Sequence, residues 1–226
     1  MQRTLDILIA ASALIVLMPL LIFVSVVLKL SGEGEILYLQ ERVGFMGKTF
    51  RLVKFATMLK SSPEIGTGTI TIKNDPRVLP VGRILRKTKI NELPQLFNVL
   101  FGEMSVVGPR PQAKTCFDAF PADLQKVLVR VKPGLSGLGP IIFRAEEDIL
   151  AGQNGSVNFY NYTLAPYKGY VEAWYVERPT MANYFKVIAV TVWVVLFPRS
   201  GIVWSVFKGL PQPPEELKTA LNYPLD

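Results

Sequence analysis

The sequence contains no histidine and a single cysteine. Without histidine there is no imidazole metal ligand, no Ser-His-Asp or Cys-His nucleophile pair and no imidazole general base. One cysteine excludes an intramolecular disulfide, CxxC redox chemistry and a thiolate zinc site. Charge is scarce as well: charged residues make up 19% of the chain, against about a quarter in an ordinary soluble domain. Any chemistry must run on carboxylates, lysine, arginine, amides, hydroxyls, backbone N–H groups or a hard metal ion. Apolar surface and positive charge are what the chain has in excess. Half of its 226 residues are hydrophobic, and the mean hydropathy is +0.30. Twenty-five Lys and Arg stand against 18 Asp and Glu, a net charge of +7. That balance suits anionic partners such as phosphates, anionic lipid or nucleic acid.

Residues 7–28 carry no charged side chain. A run of that length is enough to cross a hydrocarbon core, which takes roughly 20 residues. It is too long for the h-region of a cleaved signal peptide, and no small-residue cleavage site follows Lys29. Pro19 sits near its middle, where it removes a helical hydrogen bond and crowds the carbonyl four residues back. A kinked spanning helix and a helix that bends at Met18-Pro19 and returns to the same face both fit. The basic bulk after the run argues for a cytoplasmic globular part. Residues 187–197 are uncharged but too short to span. Flanking cations with Trp193 and Trp204 suggest interfacial helices over residues 184–207, set against an ordinary buried core helix.

Between these ends the chain reads as an α/β, mostly helical domain. We divide it into a membrane helix over 1–30, a cytoplasmic domain over 31–210 and a tail over 211–226. Residues 36–40 and 49–54 have strand character, with Gly44 and Gly47 marking a hairpin turn. Residues 61–74 read as a loop, and the proline-rich tail as a surface segment or loose arm. Residues 91–101 are the best helix: Leu93, Leu96, Phe97, Leu100 and Phe101 share one face, Asn91, Gln95 and Asn98 another. Pro94 fits only a first turn, and Gly102 supplies the stop. Asn91 and Glu92 then lie at a helix N-terminus, where unpaired N–H groups favour phosphate. Upstream is a basic cluster of Arg77, Arg83, Arg86, Lys87 and Lys89; downstream, two prolines hold Arg110. Together these describe a pyrophosphate-handling site, although a charge strip alone is usually a solvated face. A nucleic-acid role is set aside, because no stacking aromatics interleave the cations around Arg83.

The order of motifs resembles that of the bacterial sugar transferases, small monotopic phosphoglycosyltransferases that start lipid-linked glycan assembly. The residues that carry the resemblance are Gln40-Glu41-Arg42-Val43-Gly44, Lys54-Phe55-Ala56-Thr57-Met58, Asp75-Pro76-Arg77-Val78 and the run from Val81 to Thr88. They continue through Asn91-Glu92-Leu93-Pro94-Gln95-Leu96-Phe97-Asn98-Val99, Gly108-Pro109-Arg110-Pro111 and Lys132-Pro133-Gly134-Leu135-Ser136-Gly137. The resemblance implies a re-entrant N-terminal helix, in-plane amphipathic helices and a place on the cytoplasmic face of the bacterial inner membrane. It implies transfer of a sugar-1-phosphate from a UDP-sugar to polyprenyl phosphate with release of UMP. Magnesium would be the cofactor, with a covalent intermediate on the Asp of an Asp-Glu pair. Membrane lipid is an implied partner, and a homodimer or other glycan-assembly enzymes are further candidates.

This chain departs from the pattern at its centre: Asn91 stands where that Asp is expected, followed by Glu92. Ala56 stands where an Arg is usual, and Met18 where a Ser is common before Pro19. The amide is a poor nucleophile and a poor hard-metal ligand. Three readings stay open: an engineered change; a natural Asn-Glu branch in which Glu92 or the acceptor phosphate attacks; or a membrane-surface binder of lipid phosphate or nucleotide sugar without turnover. The roles expected of the family are Glu92 as nucleophile, metal ligand or both, Asn91 as orienting group, and Lys54, Arg86 and Arg110 as phosphate ligands.

Overall fold

The computed structural model of the chain describes residues 1–65, 75–152 and 157–224. Its first element, α1 (Gln2–Leu30), is a leucine-, isoleucine- and valine-rich helix of 29 residues that stays helical through Pro19. At the usual rise it is about 43 Å long. Asp6, Ala10, Leu14, Leu21, Val24 and Leu28 form a buried stripe along it, while Leu8, Ile15, Val16, Ile22, Phe23 and Val26 are exposed. The stripe therefore packs on the rest of the chain on both sides of Pro19.

Both ends of α1 are tied to the same globular body. Arg3 donates to the carbonyls of Val99 (2.5 Å) and Leu100 (2.8 Å). Asp6 accepts from Ser105 Oγ (2.9 Å), the Val106 amide (3.0 Å) and the Tyr184 hydroxyl (2.9 Å). Just past the other end, Glu33 accepts from the Lys60 amide (2.5 Å) and Glu35 from Lys60 Nζ (3.3 Å).

The chain then forms the hairpin β1 (Leu37–Val43) and β2 (Thr49–Phe55), antiparallel, from Leu37 opposite Phe55 to Val43 opposite Thr49. Its turn is a 3₁₀ segment, Phe45–Gly47, as Gly44 and Gly47 foretell. A second 3₁₀ turn, Ser62–Glu64, opens the loop expected over 61–74, whose residues 66–74 lie outside the described residues. Helix α2 (Pro80–Lys87) begins on a proline, whose missing N–H costs nothing there. It lies hard against the segment leaving β2: a Cβ on Gly82 would come within 2.2 Å of the Thr57 carbonyl oxygen.

The helix expected over 91–101 is shorter than its periodicity suggests. Ile90–Glu92 is a 3₁₀ turn, Pro94 is the cap, and α3 runs over Gln95–Phe101 to Gly102 at φ 89°. The amides of Glu92 and Leu93 already donate to the carbonyls of Lys89 and Ile90. In place of an α-helical N-terminus, Asn91 and Glu92 lie on this short 3₁₀ turn. Asn98 is a buried tie to the hairpin: its Oδ1 accepts from the Val53 amide (3.0 Å) and its Nδ2 donates to the Arg51 carbonyl (2.8 Å).

Strand β3 (Ser105–Val107) pairs in parallel with β4 (Gly134–Ser136), the connection holding α4 (Lys114–Phe117) and α5 (Ala122–Leu128). After β4 come α6 (Leu138–Ile142), α7 (Glu146–Gly152) and α8 (Val157–Phe159). The last runs through a π-helical turn, Tyr160–Leu164, into α9 (Ala165–Val176). The chain closes with α10 (Met181–Leu196), α11 (Ile202–Val206) and α12 (Glu215–Lys218). The fold is mostly helical with two small two-stranded sheets.

The tail is not a loose arm. Leu217 and Leu221 are buried in the core, and Tyr167 and Trp204 donate to the carbonyls of Pro211 and Leu221. Trp204 is thereby packed on the tail, while Trp193 stays exposed beside Phe197. Truncation of the Asp6 carboxylate would leave three donors near α1 unpaired, each costing about 1–3 kcal/mol. Asp6→Ala should lower the melting temperature of the detergent-solubilised chain by several degrees; an unchanged value would show that α1 docks without it.

Candidate active site

A cleft of about 1550 Å³ is lined by Lys54, Arg86, Asn91, Glu92 and Arg110. The structure thus brings together the five residues to which the sequence gave catalytic or phosphate-binding roles. Cross-strand partners share a face of the hairpin, and the pairs Tyr38–Lys54, Gln40–Leu52 and Arg42–Phe50 place Arg42 and Lys54 on one side. Helix α2, seated on Thr57 through Gly82, contributes Arg86. Asn91 and Glu92 sit on the 3₁₀ turn, entered through Lys89 in the left-handed region at φ 61°. For a residue with a long side chain that backbone is strained. It turns the chain sharply from α2 into α3 and points Asn91 and Glu92 at the hairpin.

At the centre, Glu92 and Arg110 form a two-pronged pair, with Nη2 to Oε1 at 2.7 Å and Nη1 to Oε2 at 3.1 Å. Burial alone would push the Glu92 carboxyl up, but the Arg110 guanidinium, with Lys54 and Lys89 behind it, holds it well below the carboxylate range. The charge of Glu92 in turn holds Arg110 above its ordinary value, against the effect of burial. The fork that the sequence assigns to phosphate is therefore engaged with Glu92. Arg86 is likewise paired, with Glu147 of α7 at 2.6 Å. Arg77 leaves the cationic strip altogether. It is buried, with Nη2 on Asp75 Oδ2 at 2.6 Å and Nη1 on the carbonyls of Ser62 and Ile65 at 2.8 Å. It locks a loop.

The Lys54 side chain makes no hydrogen bond or ion pair among the described residues, and burial, then the nearby Arg42, push its ammonium well below the usual lysine value. Arg42 is pushed down to about 10, by burial first and then by Arg110. Asn91 is buried at 6% exposure, and its Oδ1 has no partner. Among the described residues no group of three or more acidic or cysteine side chains is arranged to hold a metal. One carboxylate beside an unpartnered amide oxygen is still a usable set of hard donors. It fits a magnesium ion that takes its remaining ligands from substrate phosphates and water.

Two residues of the site escaped sequence reasoning as ligands or supports. Arg42 was visible only as part of a motif. Glu172 of α9 is 1% exposed, and its Oε1 accepts from the Arg110 amide at 2.9 Å. A Cβ on Gly139 would lie 2.1 Å from that oxygen, so a glycine is required there for the carboxylate to fit. The available signal was a carboxylate in an otherwise apolar stretch, four residues after Lys168, whose own partner is Glu146 at 2.6 Å.

The profile of the bacterial sugar transferases matches residues 1–198. The chain belongs to that family. It is 39% identical over 143 residues to a UDP-N-acetylgalactosamine-undecaprenyl-phosphate N-acetylgalactosaminephosphotransferase of Aeromonas hydrophila, covering 62% of this chain and 34% of the relative. It is 39% identical over 154 residues to a UDP-glucose:undecaprenyl-phosphate glucose-1-phosphate transferase of Klebsiella pneumoniae, covering 66% and 32%. It is 41% identical over 154 residues to the exopolysaccharide production protein ExoY of Sinorhizobium fredii, covering 62% and 68%. The chain thus spans about a third of the first two relatives and about two thirds of the third.

Burial pushes the Glu172 carboxyl up to about 7, against the pull of the Arg110 amide and Lys168. A raised carboxyl favours the folded state below its unfolded value near 4.5, and that contribution is lost as pH rises through about 7. Glu172→Gln keeps an acceptor for the Arg110 amide and removes the charge. The variant should gain stability over the parent between pH 4.5 and 7, by on the order of 3 kcal/mol, and level off above. A difference that does not vary with pH would place the Glu172 titration elsewhere.

Proposed function

We propose that the chain transfers a sugar-1-phosphate from a UDP-sugar to polyprenyl phosphate, releasing UMP, at the cytoplasmic face of the bacterial inner membrane. The observation that carries this reading is the convergence of Lys54, Arg86, Asn91, Glu92 and Arg110 on one cleft. That cleft is also lined by Ile188, Val192 and Val195 of α10. A charged wall for a nucleotide diphosphate and an apolar wall for a prenyl chain thus meet. The relatives named for such transfers support the same chemistry.

Lys54, Arg86 and Arg110 hold phosphate oxygens and offset the charge that builds on departing UMP. Glu92 and Asn91 would hold magnesium, which when bound neutralises the diphosphate and steadies the leaving group. Asn91 has no charge with which to attack, and both Glu92 oxygens are held by Arg110. We therefore assign the attack on the sugar-bearing phosphorus to the acceptor phosphate itself. Its oxygen bonds to that phosphorus, the bridge to UMP breaks, and UMP leaves with the electron pair. UMP release from a panel of UDP-sugars should require polyprenyl phosphate, leave no adduct on the chain by intact mass, and fall at least 100-fold in Glu92→Gln. A phosphosugar adduct on Glu92 with donor alone would sink direct attack. Binding of UDP without UMP release from any donor would leave a binder in place of an enzyme.

The ties at both ends of α1 support a monotopic, re-entrant placement: Arg3 and Asp6 at its start and Glu33 just past its end are bonded to the same globular body. The exposed apolar residues of α1 and of α10, including Phe185, Val192, Trp193 and Leu196, supply the face toward lipid. In a Cys116→Ser background, Gln2→Cys and Ser31→Cys should both resist an impermeant thiol reagent added to intact cells. Labelling of Gln2→Cys alone would mean that α1 spans.

A further inference from the structure

We propose that Arg42 and Lys54 together form the seat of a phosphate oxyanion in this cleft, with Arg42 a direct phosphate ligand. The proposal rests on the phosphoryl-transfer reading for the identity of the anion, and on the following geometry for its place.

The cations around the cleft fall into groups by partner. Arg110 holds Glu92, Arg86 holds Glu147 and Lys168 holds Glu146. Arg83, Lys87 and Lys89 are exposed to water, and Arg144 is half-buried without a carboxylate partner among the described residues. Arg42 and Lys54 are neither exposed nor paired with a carboxylate among the described residues. The Arg42 fork donates only to neutral acceptors, the Gln40 side chain at 2.5 Å and the Pro111 carbonyl at 3.3 Å. Its Nε is buried with no partner. The Lys54 ammonium has no hydrogen-bond partner among the described residues.

Two desolvated like charges on one face of a hairpin repel one another, and neither regains in the fold the hydration it has lost. A fold gains no stability from such an arrangement; an incoming dianion removes both costs at once. The neutral contacts to Gln40 and Pro111 hold the Arg42 guanidinium in place without cancelling its charge. The Pro111 contact also ties it to the same loop that carries Arg110. The seat therefore lies beside the Glu92–Arg110 pair, where the phosphate of a UDP-sugar or of a prenyl phosphate meets the transfer centre. Both sources offer the same chemistry, a tetrahedral phosphate oxyanion.

The full chain in nanodiscs, as Arg42→Gln, Arg42→Lys and Lys54→Met, tests this with three probes: UDP, inorganic phosphate, and a short-chain prenyl monophosphate. Melting temperature without probe and equilibrium affinity for each probe are measured together. Lys54→Met should melt no lower than the parent, because an uncompensated charge has gone, and should bind UDP or the prenyl phosphate at least tenfold more weakly. Arg42→Gln should weaken the same probe, and Arg42→Lys should restore part of the loss. Loss confined to UDP assigns the seat to the donor, and loss confined to the prenyl phosphate assigns it to the acceptor. Variants that melt lower yet bind all probes as the parent does would make both residues structural and overturn the proposal. If Arg42→Gln does not fold, Lys54→Met and Arg42→Lys decide on the same criteria. A parent chain that releases UMP while its variants bind normally defeats this proposal alone, whereas a parent that binds no probe defeats the transfer reading itself.

Discussion

The pairing of Glu92 with Arg110 joins the parts of the chain that build the cleft. Glu92 arrives on the turn between α2 and α3, and Arg110 on the loop after β3. That loop is fixed from behind, where Glu172 of α9 accepts the Arg110 amide. Gly139 leaves room for the Glu172 carboxylate. A buried carboxylate and guanidinium tolerate little displacement, since loss of either partner strands the other charge. Four separated segments are thus held in register by one pair and its support.

The same pair changes how the site works. A carboxylate gripped at both oxygens is a weak base and a hindered nucleophile, and an amide precedes it at Asn91. On the hairpin, Arg42 and Lys54 add positive charge that no carboxylate pairs among the described residues. The chemistry open to such a site is electrostatic: gather anions, orient them and stabilise a leaving phosphate. Ile188, Val192 and Val195 of α10 set an apolar wall beside that charge in the same cleft.

Local features were legible because their causes are local. The hairpin followed from β-rich residues around Gly44 and Gly47, and the stop at Gly102 from the left-handed backbone it adopts. The start of α3 was misplaced because a proline cap and a 3₁₀ turn both imitate the first turn of a helix. Arg77 was counted with the cationic strip, although its partner Asp75 is only two residues away. Charge along a sequence does not say whether a side chain turns outward to phosphate or inward to a neighbouring acid. The tail was read as loose because its prolines and glutamates mask Leu217 and Leu221, which are buried.

Composition and motif order alone determined the family of the chain, the presence of a long apolar helix and the lack of any imidazole. These depend on which residue types exist and how they are spaced. Which cations are paired was decided only by the tertiary structure. Glu92 lies 18 residues from Arg110, Arg86 61 from Glu147, and Glu172 62 from the Arg110 amide it holds. Coulomb and hydrogen-bond energies fall off over a few ångströms of space, and only the packing of α1, α9 and the hairpin brings such residues within that reach.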